Sequence, residues 1–144
     1  MKIFLVRHGF TQSNRARTES FEDTKTNKSG FNVLVNTRRT LEKYNIDRVY
    51  TSELKDATQT AQMLGFHDYE SDPRLNELDF GDYSGQLLEE IQDHYQGVLD
   101  DEDDIFNVKY PGEESRNDLI KRVGEFLDEL VEKDEDALCI SHGL

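Results

Sequence analysis

The sequence predicts an α/β fold of three layers, α/β/α, with a mostly parallel central sheet. Short apolar runs rich in β-favouring residues alternate along the chain with segments whose apolar residues recur at helical spacing. Two runs, 3–6 and 137–140, are unbroken, which is typical of strands buried on both faces of a parallel sheet. Each run is followed by one polar residue, a histidine and a glycine. If the two strands are parallel neighbours, both histidines lie at one edge of the sheet.

Each element has a local signal. Ser52 is a plausible N-cap for the segment that follows it, and small residues at helical spacing allow that helix to pack closely. Ser115 with Asp118 three residues later resembles a capping box before the clearest amphipathic helix, which ends near residue 133. The predicted strands are 3–6, 47–51, 68–71 and 137–140, and the other predicted helices are 31–44, 52–64 and 86–95.

Length and composition limit the kinds of protein this chain can be. With 144 residues the sequence predicts a single domain, 1–144, with a core of its own. The formal net charge of −14 opposes general affinity for nucleic acid or an anionic membrane. Cys139 is the single cysteine and lies in an apolar run, which indicates a buried thiol in a reducing compartment. No segment is long enough to cross a bilayer. We therefore expect a cytoplasmic protein.

Four side chains are candidates for chemistry at the sheet edge. Arg7 and His8 directly follow the first strand, and His142 follows the last. Glu77 lies in a loop between 75 and 83 whose apolar residues could hold it still. The simpler readings are that a polar dipeptide merely ends a strand and that Glu77 is a solvated side chain.

A phosphate monoester suits these residue types. A neutral imidazole can attack phosphorus and form a phosphohistidine, while an arginine binds the phosphate oxygens. A protonated Glu77 could donate to the leaving oxygen and then activate water. The rival chemistry is a metal site of two histidines and a carboxylate, but the sequence has neither a His-x-x-x-His pair nor a cysteine cluster. The prediction is no metal and no cofactor.

The chain resembles the histidine phosphatase, or phosphoglycerate mutase-like, superfamily. Residues 7–14 fit R-H-G-x-T-x-x-N, 52–61 fit S-x-L-x-x-A-x-x-T-A, 75–85 fit L-x-E-x-x-F-G-x-x-x-G, 111–115 fit P-G-x-E-S and 141–143 fit S-H-G. The motifs occur in the family's order over nearly the whole chain. The resemblance implies that His8 is the phosphorylated nucleophile and Glu77 the proton donor. It also implies that Arg7 and His142 bind phosphate. We count His142 with His8 and Glu77 as catalytic, and we expect Asn14, which fits the first motif, to bind phosphate together with Arg7, His8 and His142.

The chain departs from the family pattern at two points. Asp56 stands where the family usually has an arginine of the phosphate pocket. A carboxylate there should repel phosphate and compete for Arg7. Family members also continue well past the second histidine, whereas this chain ends at Leu144. We therefore expect a phosphoglycerate mutase-like fold that lacks its usual C-terminal portion.

The leading hypothesis is a metal-independent phosphomonoester hydrolase acting on a small molecule through His8. The alternatives are a phosphoglycerate mutase and a weakly active or inactive phosphate-binding domain, the latter because of Asp56 and the missing C-terminal part. We expect neither nucleic-acid nor membrane partners. The sequence indicates neither the substrate nor the oligomeric state.

Overall fold

A four-stranded parallel sheet forms the centre of the molecule. The computed structural model describes residues 1–9, 28–84, 86–87, 89–90, 106–109 and 114–143. The strands are β1 (Ile3–Arg7), β2 (Arg48–Thr51), β3 (Glu70–Ser71) and β4 (Ala137–Ser141). Their spatial order is β1-β4-β2-β3, and every pair is parallel. The predicted parallel α/β fold is confirmed, and the predicted strands differ from those observed only at their ends.

In the described part of the chain, three α-helices cover the two faces of this sheet. They are α1 (Lys28–Leu41), α2 (Lys55–Met63) and α3 (Arg116–Lys133). Leu34, Ala57 and Ala61 from α1 and α2 pack in one buried cluster with Leu138 and Ile140 of β4. Since side chains alternate across a strand, the intervening Cys139 faces the other side, where it packs with Phe126 and Leu130 of α3. The result is the predicted three-layer arrangement.

Ser115 starts α3 as predicted. Its hydroxyl accepts a hydrogen bond from the Asp118 N–H at 3.1 Å, and the Asp118 carboxylate accepts from the Ser115 N–H at 3.0 Å. Two backbone N–H groups at the helix start are thereby satisfied, which stabilises the first turn. The helix ends at Lys133, and its C-cap residue, Asp134, adopts a left-handed conformation with φ of 51°.

Ser52 does not cap α2, contrary to the prediction. The helix begins at Lys55, and its N-cap residue is Leu54, which makes no side-chain cap. The Ser52 hydroxyl accepts from the Leu54 N–H and is also bonded to Asn76 and His142. Its position two residues before the cap lets it join the strand edge to a neighbouring loop.

The first strand is not buried on both faces as predicted. β1 is an edge strand of the described sheet, and its pattern alternates, with Leu5 70% exposed. Leu5 pairs with Cys139 of β4, so it lies on the face covered by α3. The described part of α3 packs over Cys139 and Ala137 but leaves Leu5 exposed.

Some predictions concern residues outside the described part of the chain. The predicted helix 86–95 lies mostly outside it, and Asn14 lies wholly outside it. Cys139 is a buried free thiol, and burial raises its pKa to about 12. None of the described helices combines the length and apolar character that crossing a bilayer requires.

Candidate active site

The register of β1 and β4 brings the two histidines together. Arg7 pairs with Ser141, so the residues that follow them leave the sheet side by side. The backbone N–H of His8 extends the hydrogen bonding between β1 and β4 by donating to the Ser141 carbonyl at 2.9 Å. The ring centroids of His8 and His142 are 5.1 Å apart, with a tilt of 52° between the rings. Residues separated by most of the chain therefore share one site.

The His8 ring is held in one tautomer. Its Nδ1 is 2.8 Å from the Gly9 carbonyl oxygen. A carbonyl can only accept, so Nδ1 carries the proton and the Nε2 lone pair is available. The Gly9 N–H in turn donates to the Thr60 hydroxyl at 2.9 Å, and that hydroxyl donates to the Asp56 carbonyl at 2.6 Å. The start of the loop is thereby tied to α2.

A chain of hydrogen bonds also sets the His142 tautomer. The Ser52 hydroxyl donates its one proton to Asn76 Oδ1 at 3.0 Å and accepts from the Leu54 N–H. The His142 Nε2, 2.8 Å from the same hydroxyl, must therefore be the donor. Burial lowers the pKa of His142 to about 3, and the charges of His8, when its ring is protonated, and of Arg7 act in the same direction. The ring is neutral at neutral pH, with its Nδ1 lone pair free of a proton.

Arg7 lies over Gly143 at the outer rim. A Cβ atom built on Gly143 would be 2.7 Å from Arg7 Cζ and 2.9 Å from its Nη1. The guanidinium is thus seated against the backbone that follows His142. Arg7 is exposed, whereas His8 is only 9% exposed. A cation at the mouth and a buried imidazole behind it suit an anionic group that enters from solvent.

The Glu77 carboxyl faces the same rim. Its Oε1 accepts from the Leu78 N–H at 2.9 Å and its Oε2 from the Gly143 N–H at 3.4 Å. Burial raises the pKa of Glu77, against the opposing effect of these hydrogen bonds and of the positive charges of His8, when its ring is protonated, and of Arg7. A carboxyl with a raised pKa is better able to hold a proton for transfer.

Arg122 of α3 fixes the loop that carries Glu77. Its guanidinium donates to the backbone carbonyls of Arg74 at 2.7 Å and Glu77 at 3.1 Å. It also pairs with both oxygens of Glu114, at 2.5 and 3.0 Å. The Glu114 carboxylate accepts from the Asp79 N–H at 3.0 Å. Leu78 and Phe80 are buried beside this network, so the loop is held by packing and by charge.

Asp56 lies between the two imidazoles. Its Oδ2 is 3.5 Å from His8 Nδ1 and 3.8 Å from His142 Nδ1. Its Oδ1 accepts from the Ala57 N–H at 2.7 Å, which fixes the direction of the carboxylate. The residue is 6% exposed. Asp56 therefore faces the site, as the sequence predicts for the position usually held by arginine.

The structure brings together four of the five predicted site residues: Arg7, His8, Glu77 and His142. Asn14 lies outside the described residues, and its role stays a prediction. Sequence reasoning missed Ser52 and Arg122 as residues of the site. The sequence did contain a sign of the role of Arg122. This arginine follows Leu119 by three positions and precedes Phe126 by four, which places it on the buried side of an amphipathic helix. The bond between Ser52 and His142 joins residues ninety positions apart, which no local pattern could show.

Known proteins resemble this chain in sequence and in structure. The sequence is 40% identical over 97 residues to the 6-phosphofructo-2-kinase/fructose-2,6-bisphosphatase 1 of Rattus norvegicus; the match covers 66% of this chain and 20% of that protein. The chain thus spans about a fifth of the length of the curated relatives it matches.

Solved structures match nearly the whole chain. A mycobacterial glucosyl-3-phosphoglycerate phosphatase superposes with a TM-score of 0.80 and 27% identity, over 96% of this chain and 74% of that one. The α-ribazole phosphatase of Shigella flexneri gives a TM-score of 0.85 at 25% identity, over 99% of this chain and 74% of that one. The sequence profile of the histidine phosphatase superfamily (branch 1) matches residues 3–144. With both histidines at the shared edge of a parallel sheet, the chain belongs to the histidine phosphatase superfamily.

Proposed function

We propose that the protein is a phosphomonoester hydrolase that acts through a phosphohistidine on His8, with no metal or other cofactor in the reaction. The observation that carries this proposal is the orientation of the His8 ring. With its Nδ1–H held by the Gly9 carbonyl, its Nε2 keeps a lone pair for attack on phosphorus.

Two steps complete the proposed reaction. In the first, His8 Nε2 forms a bond to phosphorus while the ester P–O bond breaks, and the leaving oxygen takes the proton of Glu77. In the second, water attacks the phosphohistidine, its proton passes to the Glu77 carboxylate, and the P–N bond breaks. The raised pKa of Glu77 supports the first role, since a protonated carboxyl is needed at the start.

Arg7, His142 and Asn14 are the proposed phosphate ligands. The Arg7 guanidinium at the rim can make paired hydrogen bonds to phosphate oxygens. His142 is placed beside His8 by the sheet. To donate to a phosphate oxygen, its Nδ1 must take up a proton or its Nε2–H must turn away from Ser52. The proposed effect of these ligands is to hold the phosphorus in line with His8 Nε2 and to offset charge in the transition state.

We infer a small phosphorylated substrate with a sugar or sugar-acid part. The matched relatives and structures are phosphatases whose names refer to fructose-2,6-bisphosphate, glucosyl-3-phosphoglycerate and α-ribazole. Since these substrates differ outside the phosphate group, the comparisons support the class of compound and no single member of it. The net charge of −14 supports a small molecule over a nucleic acid as the partner.

The direct experiment is to trap the phosphorylated enzyme. The protein is mixed with p-nitrophenyl phosphate, quenched in base and digested, and the phosphopeptide is located by mass spectrometry. We expect phosphate on His8 in the wild type and none in His8→Asn. His67→Gln is the matched control, because His67 is an exposed histidine outside the site. Turnover with phosphate on another residue, or full turnover by His8→Asn, would reject the proposal.

A second candidate is a phosphate-binding domain with little or no turnover. The observation that favours it is the Asp56 carboxylate beside both imidazoles, where it opposes an incoming phosphate. Equilibrium dialysis with a sugar phosphate, run beside the turnover assay, separates the two. Binding without phosphohistidine supports the second candidate. Exchange between 2- and 3-phosphoglycerate without release of phosphate would indicate a mutase instead.

A further inference from the structure

Three potential metal ligands meet at the centre of the site. One nitrogen each of His8 and His142 and one carboxylate oxygen of Asp56 lie within 4.8 Å of one another. His8 and His142 directly follow β1 and β4, and Asp56 lies in α2, so their sequence spacing shows no metal-binding motif. The sequence predicts no metal for this reason, and only the fold reveals the cluster.

The distances suit a small cation. Zinc bonds to nitrogen and oxygen ligands are about 2.0–2.2 Å long, so two ligands of a tetrahedral site are separated by about 3.4 Å. Asp56 Oδ2 is 3.5 Å from His8 Nδ1 and 3.8 Å from His142 Nδ1. Shifts of a few tenths of an ångström would bring these two pairs to coordinating geometry. The two imidazole nitrogens, which lie within 4.8 Å of each other, must approach further. Three protein ligands leave a fourth position for water or a phosphate oxygen.

Two of the three ligands are already oriented by neighbours. The donation from His142 Nε2 to Ser52 leaves the His142 Nδ1 lone pair on the side of Asp56. The Ala57 N–H holds Oδ1 of Asp56, so that Oδ2 faces both rings. Such outer contacts orient the ligands of metal sites and fix the histidine tautomer. His8 differs, because its Nδ1–H is bonded to the Gly9 carbonyl and must move its proton before it can coordinate.

We propose that His8, Asp56 and His142 form a binding site for a divalent transition-metal ion of the zinc class. Two imidazoles and one carboxylate favour zinc over magnesium or calcium, which prefer sites made of oxygen ligands. The aspartate at the position where the family usually has arginine supplies the negative charge that a cation requires. His8 and Asp56 are buried, and this burial strengthens the attraction of the Asp56 carboxylate for the cation.

A metal at this site turns the proposed phosphatase off. When the ion binds His8 Nδ1, the single proton of the neutral ring moves to Nε2, by way of solvent. Nε2 then has no lone pair to attack phosphorus. The metal-bound and phosphorylated forms of His8 are therefore mutually exclusive. This consequence rests on the proposed function, whereas the binding site itself does not.

The binding test uses tag-free protein treated with a chelator and then dialysed. Zn²⁺ is titrated by calorimetry, and Co²⁺ by its visible absorption, which reports the coordination geometry. We expect one ion per chain. Removing a ligand should weaken binding by more than about 100-fold in Asp56→Asn and His142→Gln, because loss of even an outer contact can cost 10–100-fold. His67→Ala, which removes an exposed histidine, should bind as the wild type does.

The wild-type protein provides a test that does not depend on variants that fold. Zinc should shift the imidazole ¹⁵N resonances of His8 and His142 in NMR spectra and leave those of His67 unchanged. Absence of stoichiometric binding, or equal affinity in Asp56→Asn, would overturn the proposed site.

A phosphohistidine assay separates this proposal from the proposed function. If zinc binds and the metal-free protein forms no phosphohistidine, the proposed function and the inhibitory role that rests on it fail, whereas the binding site stands. If zinc binds and phosphorylation of His8 continues at saturating zinc, the inhibitory role fails. The expected result is loss of phosphohistidine in parallel with zinc occupancy and its recovery on chelation.

Discussion

Carboxylates of low exposure occupy two neighbouring regions of this molecule, and their partners differ. Beside α3, Glu114 is paired with the Arg122 guanidinium, whose other donors hold backbone carbonyls. At the sheet edge, Asp56 faces the imidazoles of His8 and His142. An arginine stays charged at all ordinary pH values, whereas an imidazole can be neutral and can bind a proton or a metal. The first region therefore suits a fixed structural role and the second a chemical one.

Glu77 links the two regions, and its substitution should give the largest change in activity. Its carbonyl accepts from Arg122 and its carboxyl faces Gly143. Glu77→Gln keeps the size of the side chain but removes the proton donor, so alkyl phosphates should be hydrolysed about 10²–10⁴-fold more slowly. Aryl phosphates, whose leaving groups need little protonation, should slow much less. The comparison of kcat values for the two ester types is the measurement, and equal losses would reject the role.

The raised pKa of Glu77 also predicts a pH profile. As a proton donor, Glu77 must be protonated, so phosphorylation of His8 should slow as the pH rises through this pKa. Because burial moves the pKa upward, the decline should occur above the ordinary range of a glutamate. The rate of phosphohistidine formation against pH shows this limb in the wild type. Its persistence in Glu77→Gln would assign it to another group.

Arg122→Met should have the largest effect on stability. It leaves Glu114 without its cationic partner and removes a donor from each of two backbone carbonyls, at a cost of about 3–5 kcal/mol in the free energy of unfolding. Urea unfolding measures the change. Glu42→Gln, which breaks the exposed pair with Arg38, is the control and should cost about 0.5 kcal/mol or less. Similar losses in both variants would contradict the distinction between a buried clamp and a surface pair.

Asp56→Arg would place a permanent positive charge at the sheet edge, as Arg122 does beside α3. If the carboxylate obstructs phosphate, a guanidinium there should raise kcat/KM by about 10–100-fold, which corresponds to about 1.5–3 kcal/mol for a charge-assisted hydrogen bond. The same variant should lose zinc binding. Steady-state kinetics with a sugar phosphate provide the check, with circular dichroism to establish folding. Unchanged kinetics would count against an obstructing Asp56.

Ser52→Ala should have the smallest of these effects. It removes the acceptor of His142 Nε2 and the donor to Asn76, and we expect a loss of about 1–2 kcal/mol in stability. The His142 ring would then be free to change tautomer, so its ¹⁵N resonances should move toward tautomer averaging. Thr58→Ala is the matched control, since that hydroxyl bonds only a helix carbonyl in α2 among its described contacts. An unchanged His142 spectrum in Ser52→Ala would exclude the positioning role.

Local sequence patterns predicted the parts of the fold that local physics controls. The Ser115 capping box and the apolar runs of β1 and β4 specify their elements within a few neighbours along the chain. The pairing of His8 with His142 required the further assumption that β1 and β4 are adjacent and parallel, which the register confirms.

Other features depend on contacts that sequence spacing does not encode. Ser52 has the chemistry of a helix cap, and only the approach of Asn76 and His142 explains its actual hydrogen bonds. The apolar run 3–6 predicts that Leu5 is buried, yet the edge position of β1 leaves it exposed. The cation site of Asp56 and the two histidines likewise arises where three separate elements meet.

Gly143 has no side chain, and a residue with a side chain at this position would affect Arg7. The space that a methyl group would fill there is taken by the end of the Arg7 side chain, which is flexible and can move away. An alanine at this position would thus displace the guanidinium without disturbing the strands. Loss of this glycine would therefore produce a folded protein with impaired anion capture, an outcome that a stability screen would overlook.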